Sequence, residues 1–371
     1  MAMRNGRFRR NRAFGARFSY RLDHVDRVRR VAANAYRLRP SMSWIISDLA
    51  AGKSQLRSNF VAACLERRKN RLQQPGNLGN VGLIRAEHET VLNLRWPVDL
   101  ALTVASHGWV QLAPWRWEPE SGQLSRSEKI GDRLGAIEVA QPKLGAIIAR
   151  WVGFDATAQG EVLGRVRRWL STDWEPSAAI VALPDGAALI ERGGGRMLRG
   201  SSFYEDFIKT VLTINTSWSA TCRMTAALVA EPGGGVFPGP EALLDYGEDR
   251  LRERAKLGFR AQTVVLATRR MRDDGAITSS GDGMAERLDH DYLLSLKGIG
   301  PYAAAHCRVL LHDFSRIPVD SVATAYLRER YGCDPAAFAF DRSSWGAYIA
   351  LGYRLARLRE RLEEPPQAKS K

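Results

Sequence analysis

The chain has 371 residues, 45% hydrophobic and 26% charged, enough for two or three compact units with sizeable cores. It contains no run of about 18 apolar residues, which excludes an ordinary membrane-spanning helix. Its formal charge of +15 is concentrated in residues 1–80, which carry 18 Lys and Arg against 4 Asp and Glu. Such a basic arm suits non-specific contact with nucleic acid, an organelle transit peptide, or a true start of translation further downstream. Four cysteines (Cys64, Cys222, Cys307 and Cys333) form no CxxC pair, so zinc and iron–sulfur sites lack their usual ligand spacing. No cofactor is expected. With no secretory apolar segment, an intracellular setting is expected, in cytoplasm and nucleoid or nucleus.

The arm ends in the loop-like QQPGNLGN (Gln73 to Asn80). Alternation at Val91 to Arg95, and WVQLAPWRWEPESGQLSR (Trp109 to Arg126) around a Gly turn, predict short strands. Asp132 to Val139 and Lys143 to Val152 are strand or helix candidates. Residues 81–190 are therefore expected to form a small antiparallel sheet domain, with Gly160 to Leu170 as an amphipathic helix packed on it. Its tryptophans (Trp109, Trp115, Trp117, Trp151, Trp169, Trp174) read as packing residues. ERGGGRMLRG (Glu191 to Gly200) reads as a flexible cationic joint.

Residues 191–362 read as helical. Phe203, Phe207, Val211 and Leu212 share one face, with Glu205 and Asp206 expected in solvent. Met224, Ala227 and Leu228 share the next, and Pro240 opens a further helix. Leu257 to Met271, Asp291 to Lys297, Pro301 to His312, Ser321 to Tyr331 and Trp345 to Leu362 complete the set. Residues 363–371 read as a disordered tail. The class is α+β, and no internal repeat is present.

LKGIGPYAAA (Leu296 to Ala305) joins two of these helices through Gly298 and Gly300, which permit positive φ and close approach of backbone to another surface. The N–H groups opening the second helix are suited to a phosphate oxygen, with Lys297 adding a charge beside them. Carbonyls of Leu294, Leu296 and Ile299 offer a place for a monovalent cation. Downstream, IPVDS (Ile317 to Ser321) sets Asp320 behind Pro318, at the N-cap of a helix on which Val322, Ala325 and Tyr326 share a face. An N-cap aspartate needs no further reason to exist. His306 and His312, the latter beside Asp313, read as surface or packing residues.

Together these segments resemble the HhH-GPD superfamily of base-excision DNA glycosylases. The resemblance spans Arg196 to Leu362 and rests on LLSLKGIGPYAAAHC, IPVDS, FYEDFIKTVLTIN, FPGPEALL and LGFRA. It implies an all-α helix-hairpin-helix glycosylase domain preceded by a sheet domain like that of the 8-oxoguanine and 3-methyladenine branches. It also implies a monomer acting on double-stranded DNA that contains a damaged base. On this resemblance Asp320 is the catalytic carboxylate, stabilising positive charge on the sugar and orienting the attacking water. The hairpin residues Lys297, Gly298, Ile299 and Gly300 hold the DNA backbone. Members that also cut the strand carry a lysine two positions after the second glycine. Tyr302 stands there instead, which implies hydrolysis and leans towards alkylated purines as substrates. Tyr302 either stacks on a base or is half-buried packing. Asn215 either fills the gap left by the extruded nucleotide or caps its helix, and Trp218 either lines the base pocket or belongs to the core. Mismatch or deaminated-base excision stays open, as do a bifunctional oxidised-purine enzyme and a DNA-binding hairpin in which Asp320 is only a cap.

Overall fold

The computed structural model describes residues 86–363, so the basic arm and the tail beyond Glu363 lie outside the described residues. Five strands, β1 (His88–Asn93), β2 (Trp115–Glu118), β3 (Gln123–Ile130), β4 (Arg133–Lys143) and β5 (Ala146–Val152), form one antiparallel sheet. The strand order is β1-β5-β4-β3-β2. Register follows the side-chain period of two. Leu92 pairs with Ile147, Ile137 with Trp151, and Leu124 with Val139, so the large apolar residues fall on one face. That face is covered by α2 (Gln159–Trp169) through Val162, Val166 and Trp169. A short helix, α1 (Leu100–Val104), and a 3-10 turn, Gly108–Gln111, lie between β1 and β2.

After Val152 the described elements are helical. Helices α3 (Ser177–Ala182) and α4 (Ala187–Glu191), assigned with the sheet by sequence, do not pack on it. Ala179, Leu183 and Ile190 join Phe314, Leu351 and Leu355 in a different core. Nor is Glu191 to Gly200 a loose joint. Residues 196–200 are buried, and Arg196 donates to the carbonyls of Pro97 (3.0 Å) and Trp174 (3.1 Å), Arg199 to that of Arg168 (2.9 Å). Gly193 has φ +89°, and a Cβ there would lie 2.3 Å from the Asp99 nitrogen, so both backbone angle and close approach require glycine. The glycines serve close approach of chains, not mobility.

Helix α5 (Phe203–Leu212) is capped by the Ser202 hydroxyl and is buried on every side. It centres a core with Met224 and Leu228 of α6 (Trp218–Ala230), Leu243 of α7 (Pro240–Tyr246) and Leu251 of α8 (Glu248–Glu253). Val264 of α9 (Arg260–Asp273) and Leu293 of α10 (His290–Ser295) complete it. The burial of α5 corrects the expectation that Glu205 and Asp206 face solvent: both are at most 1% exposed. Arg126 of β3 reaches across to form a two-pronged pair with Glu205, both bonds 2.9 Å, and Lys209 lies 2.5 Å from the same carboxylate. Asp206 pairs with Arg168 and accepts the Gly200 N–H at 2.6 Å. Buried charges persist only when paired in this way.

Helix α11 (Pro301–Leu310) stands between two cores. Ala303, Ala304 and Cys307 belong to the core around α5. Val309 and Leu310 belong to the second, with Leu327 of α12 (Ser321–Tyr331), Phe338 of α13 (Pro335–Asp341) and Leu351 of α14 (Ile349–Glu363). Among the described residues no helix is long and apolar enough to cross a membrane.

Candidate active site

The turn between α10 and α11 is closed by the Ile299 N–H donating to the Leu296 carbonyl at 3.0 Å. Its two glycines differ. Gly298 has φ +84°, and a Cβ there would lie 2.5 Å from Thr263 Oγ1 of α9. Gly300 is extended, φ −100° and ψ 179°, with open space where a Cβ would be. Positive φ is thus needed at Gly298 only, which corrects the equal roles read from sequence. Gly298→Ala is expected to destabilise the protein by about 1–3 kcal/mol, whereas Gly300→Ala leaves the melting temperature nearly unchanged; paired thermal melts check this. Gly300 caps α11 without a side-chain acceptor, and Pro301 fills the first turn, so the opening N–H groups are bound by no capping side chain. Lys297 beside them is exposed.

Asp320 is the N-cap of α12. Its Oδ1 accepts from the Ala323 N–H at 2.6 Å, and Oδ2 has no hydrogen-bond partner among the described residues. The carboxylate is exposed. On α12 the buried positions are Ala323 and Leu327, while Val322 is 57% exposed and Ala325 is also exposed. The face read from sequence is therefore rotated, because packing against the second core orients the helix about its cap.

Asp320 lies near Tyr302 and Tyr353. Burial raises the Tyr302 phenol above its usual range, and the charge of Asp320 adds to the effect. The same two causes act on Tyr353. Tyr302 stacks on His306, ring centroids 5.9 Å apart and planes 13° apart. His306 meets Trp109 edge-on at 5.7 Å and His107 at 5.8 Å. His107 and Trp109 come from the sheet lobe, where sequence reading found no site residue; only three-dimensional contact brings them to α11. Burial and the Arg354 guanidinium hold His306 neutral, its pKa pushed down to about 3.

The turn after α5 carries Asn215 at φ +47°, exposed and two residues beyond the Thr213 C-cap. Asn215 is not the helix cap itself. Arg260 holds the turn, donating from Nε to the Ile214 carbonyl (2.9 Å) and from Nη2 to that of Asn215 (2.9 Å). Trp218 is not core: it is 39% exposed, donates to Gln111 Oε1 at 2.7 Å and lies against Gly108. His312 packs on Trp174 and Phe314, and Asp313 is bonded to Arg308, so the two form no pair. Among the described residues no group of three or more His, Cys, Asp or Glu is arranged for a metal ion.

His306 and His312 both have pKa values pushed down to about 3 from an ordinary 6.5, chiefly by burial. The unfolded chain then binds more protons between these limits, so stability is expected to fall as pH drops from about 6.5 towards 3. Each imidazole contributes a slope approaching about 1.4 kcal/mol per pH unit. Melting curves at pH 7.5 and 5 check this, with His306→Asn reducing the loss.

No protein-family model matches the chain, and no curated protein matches it either. Solved structures do match. One is a 3-methyladenine DNA glycosylase from Archaeoglobus fulgidus, 18% identical, TM-score 0.55, covering 73% of this chain and 98% of its own. A second is MBOgg1 in complex with a low-affinity DNA ligand, 17% identical, TM-score 0.53, covering 77% and 100%. A third is an 8-oxoguanine glycosylase/lyase from Clostridium acetobutylicum in its apo form, 15% identical, TM-score 0.51, covering 70% and 91%. The chain has a DNA-glycosylase fold. Within this DNA-glycosylase fold, Tyr302 stands in the first turn of α11, after the glycine turn, and Asp320 at the N-cap of α12.

Proposed function

We propose that the chain is a base-excision DNA glycosylase that extrudes a damaged base and hydrolyses its N-glycosidic bond. The observation that carries this is Asp320: an exposed carboxylate with one oxygen fixed by its helix and the other free, in a fold that also presents a glycine turn fit for phosphate. The C1′–N bond breaks with its electron pair leaving on the base. Asp320 stabilises the sugar cation, and water forms the new bond to C1′ while losing a proton to the carboxylate or to solvent.

The hairpin from Lys297 to Gly300 holds a DNA phosphate through the opening N–H groups of α11. A monovalent cation on the carbonyls of Leu294, Leu296 and Ile299 would assist; Leu296 already accepts one bond and retains a second lone pair. Asn215, at the tip of a turn that Arg260 holds rigid, fills the vacated place in the duplex. Tyr302 has no amine, so the reaction ends at hydrolysis without a Schiff base. That chemistry suits the alkylated purines expected from sequence, but it equally suits any other base released by water alone.

The test is base release from oligonucleotides carrying single lesions, read as strand cleavage after alkali. Release of at least one base with no covalent complex trapped by borohydride is expected. Binding to abasic-site DNA without release from any lesion would leave only a binding hairpin, and a trapped adduct would make the enzyme bifunctional.

A further inference from the structure

The turn that carries Asn215 is exposed at its tip, yet it is held from three sides. From α9, Arg260 donates to the carbonyls of Ile214 and Asn215, both at 2.9 Å. From α6, Thr221 donates to the Leu212 carbonyl at 3.0 Å, which closes α6 onto the end of α5. The third hold comes from the sheet lobe, through Trp218.

Trp218 is the first residue of α6, after the Ser217 cap. A side chain at a helix start leans back over the residues before it, here towards the turn. Its indole is 39% exposed, so burial does not account for its place. Two contacts do. Nε1 donates to Gln111 Oε1 at 2.7 Å. The ring lies on the backbone of Gly108, where a Cβ would come within 2.5 Å of Cζ2 and 2.7 Å of Cη2. Both partners belong to the 3-10 turn Gly108–Gln111. That turn is a fixed platform: Trp109 and Leu112 are buried in the second helical core, and Val110 in the core of the sheet. Gly108 leaves room for the ring, and Gln111 supplies the acceptor. A side chain that enters a duplex is best presented already ordered, because ordering its turn during insertion offsets part of the binding.

We infer that Trp218 is a positioning residue that locks the Asn215 turn to the sheet lobe in the conformation that enters DNA. It acts through Asn215 and not by touching a base. This rests on the reading that Asn215 fills the vacated place in the duplex, and it makes a turn of the sheet lobe part of base extrusion.

The experiment measures affinity for two duplexes that differ at one position, a tetrahydrofuran abasic-site analogue or a normal nucleotide. The ratio of the two affinities reports gap filling. Wild type is expected to prefer the abasic duplex, and Trp218→Ala to reduce that preference about tenfold. Asn215→Ala reduces it similarly, and the double variant falls no further than either single one. Gly108→Ala, which pushes the ring away from the far side, gives the same loss. Gln111→Leu loses part of the preference, while Gln111→Glu, which keeps an acceptor, retains most of it. Melting curves confirm that each variant is folded. An unchanged ratio in folded Trp218→Ala and Gln111→Leu overturns the inference. So does an additive loss in the double variant, which would put the indole itself on the DNA. A wild-type protein with no preference, or an unchanged ratio in Asn215→Ala, overturns the gap-filling reading beneath it.

Discussion

Asp320→Asn is expected to slow base release by on the order of 10²–10³-fold while leaving the fold and the affinity for abasic-site DNA in place. The substitution isolates charge from structure. The amide oxygen of asparagine accepts the Ala323 N–H as the carboxylate does, and asparagine is as good an N-cap as aspartate. What disappears is the negative charge beside the sugar cation. Asp320→Ala loses the same charge and the cap, so it adds about 1 kcal/mol of destabilisation to a similar kinetic loss. Single-turnover release and thermal melts on the two variants separate the roles. An asparagine variant that turns over at the wild-type rate would reduce Asp320 to a cap.

Glu205→Gln is expected to destabilise the protein by about 3–5 kcal/mol, lowering the melting temperature by on the order of 10 °C. Glu205 takes two bonds from Arg126 and one from Lys209, and accepts the Ser201 N–H at 2.9 Å. All three side chains are at most 1% exposed. A neutral amide of the same shape leaves buried Lys209 without its carboxylate partner and Arg126 with Glu128 alone. Because Arg126 belongs to the sheet and Glu205 to the helices, the loss also loosens the two against each other. Adding Lys209→Met removes the orphaned cation and should recover part of the stability, as a double-mutant cycle would show. A single-variant loss under about 1 kcal/mol would mean that the network contributes little.

The parts legible in the sequence are those set by local backbone chemistry. Pro301 after a glycine, Pro318 before Asp320, and Ser202 before α5 each fix a helix start within a few residues of the chain. The helix over Ser321 to Tyr331 follows from such signals. What the sequence hides depends on partners far along the chain. Glu205 looks like a solvent residue until Arg126, 79 positions earlier, is placed beside it. Glu191 to Gly200 has the composition of a linker, yet Arg196 and Arg199 are consumed by carbonyls of Pro97, Trp174 and Arg168. Trp218 has core chemistry but is held at the surface by one hydrogen bond to Gln111.

Because α11 is a wall shared by both helical cores, those cores cannot be separated by cutting the chain. A break anywhere between Leu310 and Phe314 would part Val309 and Leu310 from Phe314, Leu327, Phe338 and Leu351, and leave each half with an open apolar side. The helical region should therefore melt as one cooperative block. A cavity made in either core is then felt at Tyr302, at the start of the shared helix, so heat-sensitive variants with impaired chemistry should arise far from Asp320.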